Sequence, residues 1–148
     1  MPLKFIFVSY RILWQDKRGY DVYRKAGSIS MHLDIEKISQ ELRIRPQVYV
    51  RIAASFAQTL KNKLDELAKA FTDNDTEHMR AILHEIRGTS GNLRIAAVAE
   101  SEAAMREAVK GGKNREEIQR LFHQLRAASD DFEDFMLKLQ SHNEGQPT

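Results

Sequence analysis

The sequence contains no cysteine, which excludes a disulfide framework and any cysteine-based metal or redox centre. Neither sign of charge dominates: 23 Lys and Arg face 21 Asp and Glu, for a net charge of +2. That balance argues against a dedicated nucleic-acid binder, for which a basic stripe is expected. Long apolar runs are missing as well. The stretch Leu3–Trp14, LKFIFVSYRILW, is only about half the ~20 residues that cross a bilayer, and Lys4 and Arg11 interrupt it. It has no compact basic start, and no small-x-small cleavage site follows, so it does not read as a secretory signal. No G-x-x-x-x-G-K-[ST] and no G-x-G-x-x-G occurs, leaving nucleotide binding unsupported. Neither His-x-x-x-His nor Glu-x-x-His is found, so the spacing of a helical metal site is absent too.

What remains is 148 residues, 42% hydrophobic and 30% charged, with few aromatics and three prolines. This is one domain's worth of chain, long enough for a single buried core, and compatible with a cytoplasmic setting. Residues 1–30 resemble nothing that follows them. Three readings compete for them: an extra strand or hairpin, a disordered extension, or upstream sequence read through from a mis-set start. Because Met31 opens a cleanly patterned region, residues 1–30 are expected to be an appendage, residues 31–142 the functional domain, and 143–148 a frayed tail.

From Leu33 onward the apolar period is close to 3.6 and no strand pattern stands out. Asp34 is a plausible N-cap for a short helix carrying Ile35, Ile38 and Leu42. Pro46 suits the first turn of a second helix, whose stripe is Ile52, Phe56, Leu60, Leu64, Leu67 and Phe71. The stretch TDNDTEH supplies caps for a third. A fourth helix, about Ile95–Lys110, carries Val98, Met105 and Val109 and ends at Gly111, a natural C-terminal cap. Asn114 and Glu117 have capping-box spacing. The last helix repeats apolar residues at alternating intervals of three and four: Ile118, Leu121, Leu125, Ala128, Phe132, Phe135 and Leu139. Short links between long amphipathic helices predict an all-α fold, an antiparallel up-down-up-down four-helix bundle with a short additional N-terminal helix.

The third helix carries an anomaly. ILHEIRGTSGNLRI, Ile82–Ile95, places two glycines within two turns of a lone histidine, although each glycine in a helix costs ~1 kcal/mol relative to alanine. On a wheel at ~100° per residue, Met79, Ile82, Leu83, Ile86, Ser90 and Leu93 share the core side. His84 points about 160° away from Ile86. Arg80, Ala81, Arg87, Gly88 and Gly91 share its outer face. The glycines therefore bare a shallow patch beside the imidazole, and Arg87 adds a cation one turn on. Imidazole is the side chain whose ordinary titration falls near neutral pH, so its neutral, nucleophilic form is available. Nucleophile, cation and clear approach together suit a histidine that carries a phosphoryl group.

The stretch HEIRGTSGNL resembles the signature of histidine-containing phosphotransfer (HPt) domains, in which His is followed by x-x-Lys/Arg-Gly and small residues. The helical pattern over about Leu33–Gln140 is similar to that family's architecture. The resemblance implies that His84 is the phosphoacceptor, Arg87 the basic neighbour that stabilises charge, and Gly88 the small residue that opens access. It implies receiver domains of a hybrid sensor kinase or of response regulators as partners. It also implies no cofactor of the chain's own, with magnesium supplied by the receiver, and no nucleic-acid or membrane partner. A cytoplasmic monomer is expected. The docking patch is expected to comprise Arg80, Ala81, Gly88, Gly91 and Arg94. The chain departs from the pattern at Arg94, where the family often has glycine, and at Ile95, where a small residue follows. The turn between the third and fourth helices is therefore expected to differ.

Plainer readings compete. A lone histidine on a helix surface is usually only solvated, and it is the glycines that shift the balance for His84. His78 reads as a solvated residue, His123 neighbours the last helix's seam, and His32 and His142 lie near ends. DDFED, Asp130–Asp134, reads as an acidic face with Phe132 and Phe135 turned inward. HEIR also resembles the sensor-kinase motif His-Glu-Leu/Ile-Arg-Thr-Pro, but Gly88 replaces Thr, no proline follows, and no Gly-rich ATP-binding region lies downstream. A sensor-kinase dimerisation fragment and a helical-bundle interaction module without chemistry are the alternatives.

Overall fold

A computed structural model describes residues 31–144; the readings for 1–30 and 145–148 lie outside the described residues. Within them the chain forms five helices and no strand: α1 (Ile35–Leu42), α2 (Pro46–Thr72), α3 (Thr76–Asn92), α4 (Ala96–Lys110) and α5 (Arg115–Glu144).

The helix starts are set by local chemistry. Asp34 accepts the Lys37 N–H at 3.1 Å, Asp75 accepts that of His78 at 3.1 Å, and Asn114 accepts that of Glu117 at 2.9 Å. Each thereby satisfies one of the first-turn donors that a helix cannot pair internally. Pro46 opens α2 behind an extended Arg45, where its missing N–H costs nothing. The helix ends share one device. After α1, α2, α3 and α4 a residue in the left-handed region closes the helix, namely Arg43, Asn74, Arg94 and Gly112. The next N–H then reaches back five residues, as from Ile44 to Ser39 (3.1 Å) and from Ile95 to Ser90 (2.9 Å). These are Schellman closures, and only that of α4 uses glycine. Gly111 does cap α4, but the left-handed residue is its neighbour Gly112.

Each long helix packs against the next, α2 on α3, α3 on α4 and α4 on α5, while α5 also packs on α2 and α1 covers part of α2. Between α2 and α5 the contacts Lys61–Glu133, Asp65–Arg126 and Phe71–Arg115 run in opposite order along the two helices, with Phe56 on Phe132 at the far end of α2 from Phe71. The core between the four includes Leu60, Leu64, Leu83, Ile86, Met105 and Phe132, all fully or almost fully buried. Each contributes about 1.5–3 kcal/mol by leaving water.

Two expectations about this core need correction. Ile52, expected in the α2 stripe, is 45% exposed; Tyr49 and Ala53 are buried there instead. The observed stripe steps Tyr49, Ala53, Phe56, Leu60 at intervals of four, three and four, which leaves Ile52 about 40° outside its nearer edge, at Phe56. In α5, Phe122 and Met136 are buried beside the anticipated residues, because a helix facing two neighbours buries more than a narrow seam.

Candidate functional site

The core side of α3 is as its pattern predicts: Met79, Ile82, Leu83, Ile86 and Ser90 are buried, and Leu93 follows them inward. The buried Ser90 hydroxyl donates to the Ile86 carbonyl at 2.7 Å, which satisfies it inside the helix. With that side fixed against α2 and α4, His84 is forced outward and is exposed.

Arg80, Ala81, Arg87, Gly88 and Gly91 are exposed as well, and all lie within about 60° of His84 on the wheel. A Cβ added at Gly88 or at Gly91 would meet nothing within 4 Å. Neither glycine is needed for a close approach inside the chain, and neither has a positive φ. The open space beside the imidazole is thus a property of the outer surface. Next to His84, Glu85 leans away from this face and pairs with Lys63 on α2, whose ammonium holds the Glu85 carboxyl below its ordinary range.

The far end of α3 is anchored from two sides. The buried Tyr49 hydroxyl donates to the Leu93 carbonyl at 2.7 Å, tying α2 to the α3–α4 turn, and burial pushes the Tyr49 hydroxyl above its ordinary value. Arg94 takes up the left-handed conformation at φ 60° that glycine usually occupies. Its Nη1 donates to the Gly91 carbonyl at 3.1 Å, and its Nε lies 3.7 Å from Glu41 on α1. The turn expected to differ is therefore closed in the ordinary way, with an arginine doing what a glycine commonly does. Ile95 is fully buried behind it. Of the expected patch, Arg94 and the Gly91 carbonyl are engaged in these contacts at the end of α3.

One residue near the site was not foreseen. Glu102 on α4 is 0% exposed. Its Oε1 accepts from Arg106 Nε at 2.9 Å, and its Oε2 has no hydrogen-bond partner. Burial raises the Glu102 carboxyl above its ordinary range, while Arg106 and then Arg87 and His84 pull it back. Leaving a buried acceptor unpaired costs about 1–3 kcal/mol. The signal was legible: Val98, Glu102, Met105 and Val109 form one stripe, and a glutamate interrupts it with an arginine at i+4. Two other histidines are surface or end residues. His78 is exposed, and His32 meets Phe135 edge-on at 6.5 Å.

The Hpt domain family model matches residues 51–134, more than half of the chain and all of α3 and α4. The chain belongs to the Hpt domain family. No curated protein and no solved structure matches it. Hpt domains serve phosphotransfer in two-component phosphorelays, where they interact with receiver domains. Among the described residues of this Hpt domain no group of His, Asp or Glu could hold a metal ion. None of the described helices is long and apolar enough to cross a membrane.

Proposed function

We propose that this Hpt domain is a phosphorelay carrier whose phosphoacceptor is His84. On this reading residues 31–142 form an up-down-up-down four-helix bundle, monomeric and cytoplasmic, with α1 against one end. The observation that carries the proposal is the open outer face of α3: an exposed imidazole beside two helical glycines whose missing side chains would meet nothing within 4 Å. A helix gives up stability at such positions, and a docking partner that must bring an aspartyl phosphate up to the imidazole uses the space.

The chemistry follows from the groups on that face. Neutral His84, through its unprotonated nitrogen, attacks the phosphorus of a receiver aspartyl phosphate in line. The N–P bond forms as the acyl O–P bond breaks, the aspartate leaves as a carboxylate, and the imidazole keeps the proton on its other nitrogen. A second receiver's aspartate then reverses these steps. The receiver supplies the acidic pocket and the magnesium that offsets charge on the transferring group. Arg87 and Arg80 contribute positive charge from this side. Ala81, Gly88, Gly91 and Arg94 form the docking rim. The domain is consumed and regenerated by its partners and needs no nucleotide.

The test is incubation of the protein with a phosphorylated receiver, scored for acid-labile, alkali-stable label. Wild type is expected to take up label and His84→Gln to take up none while keeping its helical content. Equal labelling of both would move the acceptor elsewhere. No label on either across a panel of receivers would leave an interaction module without phosphotransfer.

A further inference from the structure

The α3–α4 seam holds a buried carboxylate that phosphoryl transfer through His84 does not itself use. Glu102 sits among Val98, Met105 and Val109, fully buried, with one oxygen on Arg106 and the other without a partner. A glutamate kept only to stabilise a seam has both oxygens bonded or lies at the surface. The charges acting on it come from Arg106 on its own helix and from Arg87 and His84 on α3. Arg106 is 28% exposed, so its guanidinium spans from the buried carboxylate to the surface, where Nη1 lies 3.6 Å from Glu107.

We propose that Glu102 sets the phosphotransfer equilibrium of this domain. Its ionised carboxylate, fixed behind the acceptor helix, raises the free energy of the phosphorylated form and so favours onward transfer. This rests on His84 being the phosphoacceptor. Transfer moves a PO3 unit bearing one net negative charge onto the imidazole while the receiver aspartate is released as a carboxylate. The new charge on exposed His84 then acts against the like charge on Glu102, whose own burial leaves it less screened than a surface carboxylate. Arg106 is the counter-charge bonded to Glu102, so Glu102 also acts as a positioning residue by holding its Nε. Neither residue is required for bond making; together they decide how far the reaction lies toward phosphohistidine.

The experiment equilibrates full-length protein with a phosphorylated receiver and measures the fraction of phosphoryl group on each partner. Glu102→Gln keeps the shape and removes the charge; the ratio of phosphorylated to free carrier is expected to rise roughly three- to tenfold. Arg106→Gln removes the counter-cation and is expected to shift the ratio the other way. The effect of Glu102→Gln relative to wild type should grow as pH rises through the Glu102 titration and fade below it, which a purely structural substitution would not do. Unchanged ratios in Glu102→Gln, shifts of the same sign in both variants, or a shift that ignores pH would each overturn the assignment. Wild type that takes no label at all instead defeats the phosphoacceptor reading on which it rests.

Discussion

Where α5 lies against α2, charges meet partners. Lys61 is 3.1 Å from Glu133 and Arg126 is 3.1 Å from Asp65, while Arg115 sits 4.2 Å over the Phe71 ring. Phe56 and Phe132 face each other between them at 5.9 Å. Beside α4, the outer face of α3 is glycine, alanine and arginine around His84, and the buried Glu102 carboxylate of α4 is bonded on one side only. Cross-helix charged pairs thus line one seam, while the other carries an open outer face and a half-bonded carboxylate. On the proposed reading one side is built for stability and the other for a visitor: exposed pairs add little individually, but the bare face beside His84 has no packing reason to persist.

The contrast can be broken from either seam. On the α2–α5 side, Phe132→Ala should cost about 3–5 kcal/mol in denaturant unfolding, with transfer per folded molecule retained; lost transfer in a fully folded sample would mean that the two seams are not separate. Tyr49→Phe should cost about 1–2 kcal/mol by stripping the Leu93 carbonyl of its donor; a neutral result would show that α2 does not hold the α3–α4 turn. On the open side the sign reverses. Gly88→Leu replaces a helical glycine with a strong helix former in empty space, so it should stabilise by up to ~1 kcal/mol while slowing transfer. A stable variant with undiminished transfer would remove the docking argument.

The smallest effect concerns pH. With the Glu102 carboxyl raised above its ordinary 4.5, the native protein holds a proton in the window just above that value that the unfolded chain has released. Stability from this group therefore falls as pH rises through the window. Glu102→Gln lacks this slope, so its advantage over wild type should widen from pH 4.5 upward in urea titrations. Parallel profiles would mean that burial does not perturb the group.

Most of this organisation can be read in the residues themselves. The 3.6 period, Asp34, Pro46 and Asn114 mark helices and their starts, and the wheel turns His84 outward because six apolar or small residues hold the opposite side. Three features escaped because tertiary context overrides local pattern. Ile52 has the right residue type but lies just off a stripe that Tyr49 and Ala53 complete. Arg43, Asn74 and Arg94 close helices in a conformation that glycine would have advertised, and Asn only weakly suggests. Glu102 looks like any i, i+4 partner of Arg106 until its place among Val98, Met105 and Val109 is weighed.

The central claim is that the open face of α3 exists to present His84 to an aspartyl phosphate. Mapping the phosphoryl group after transfer from a receiver tests it most directly, by peptide analysis at neutral to alkaline pH combined with phosphorus NMR. A phosphoramidate on His84, within the peptide spanning Thr76–Asn92, is the predicted result; a phosphoryl group on His78, on another peptide, or held as an ester would contradict it.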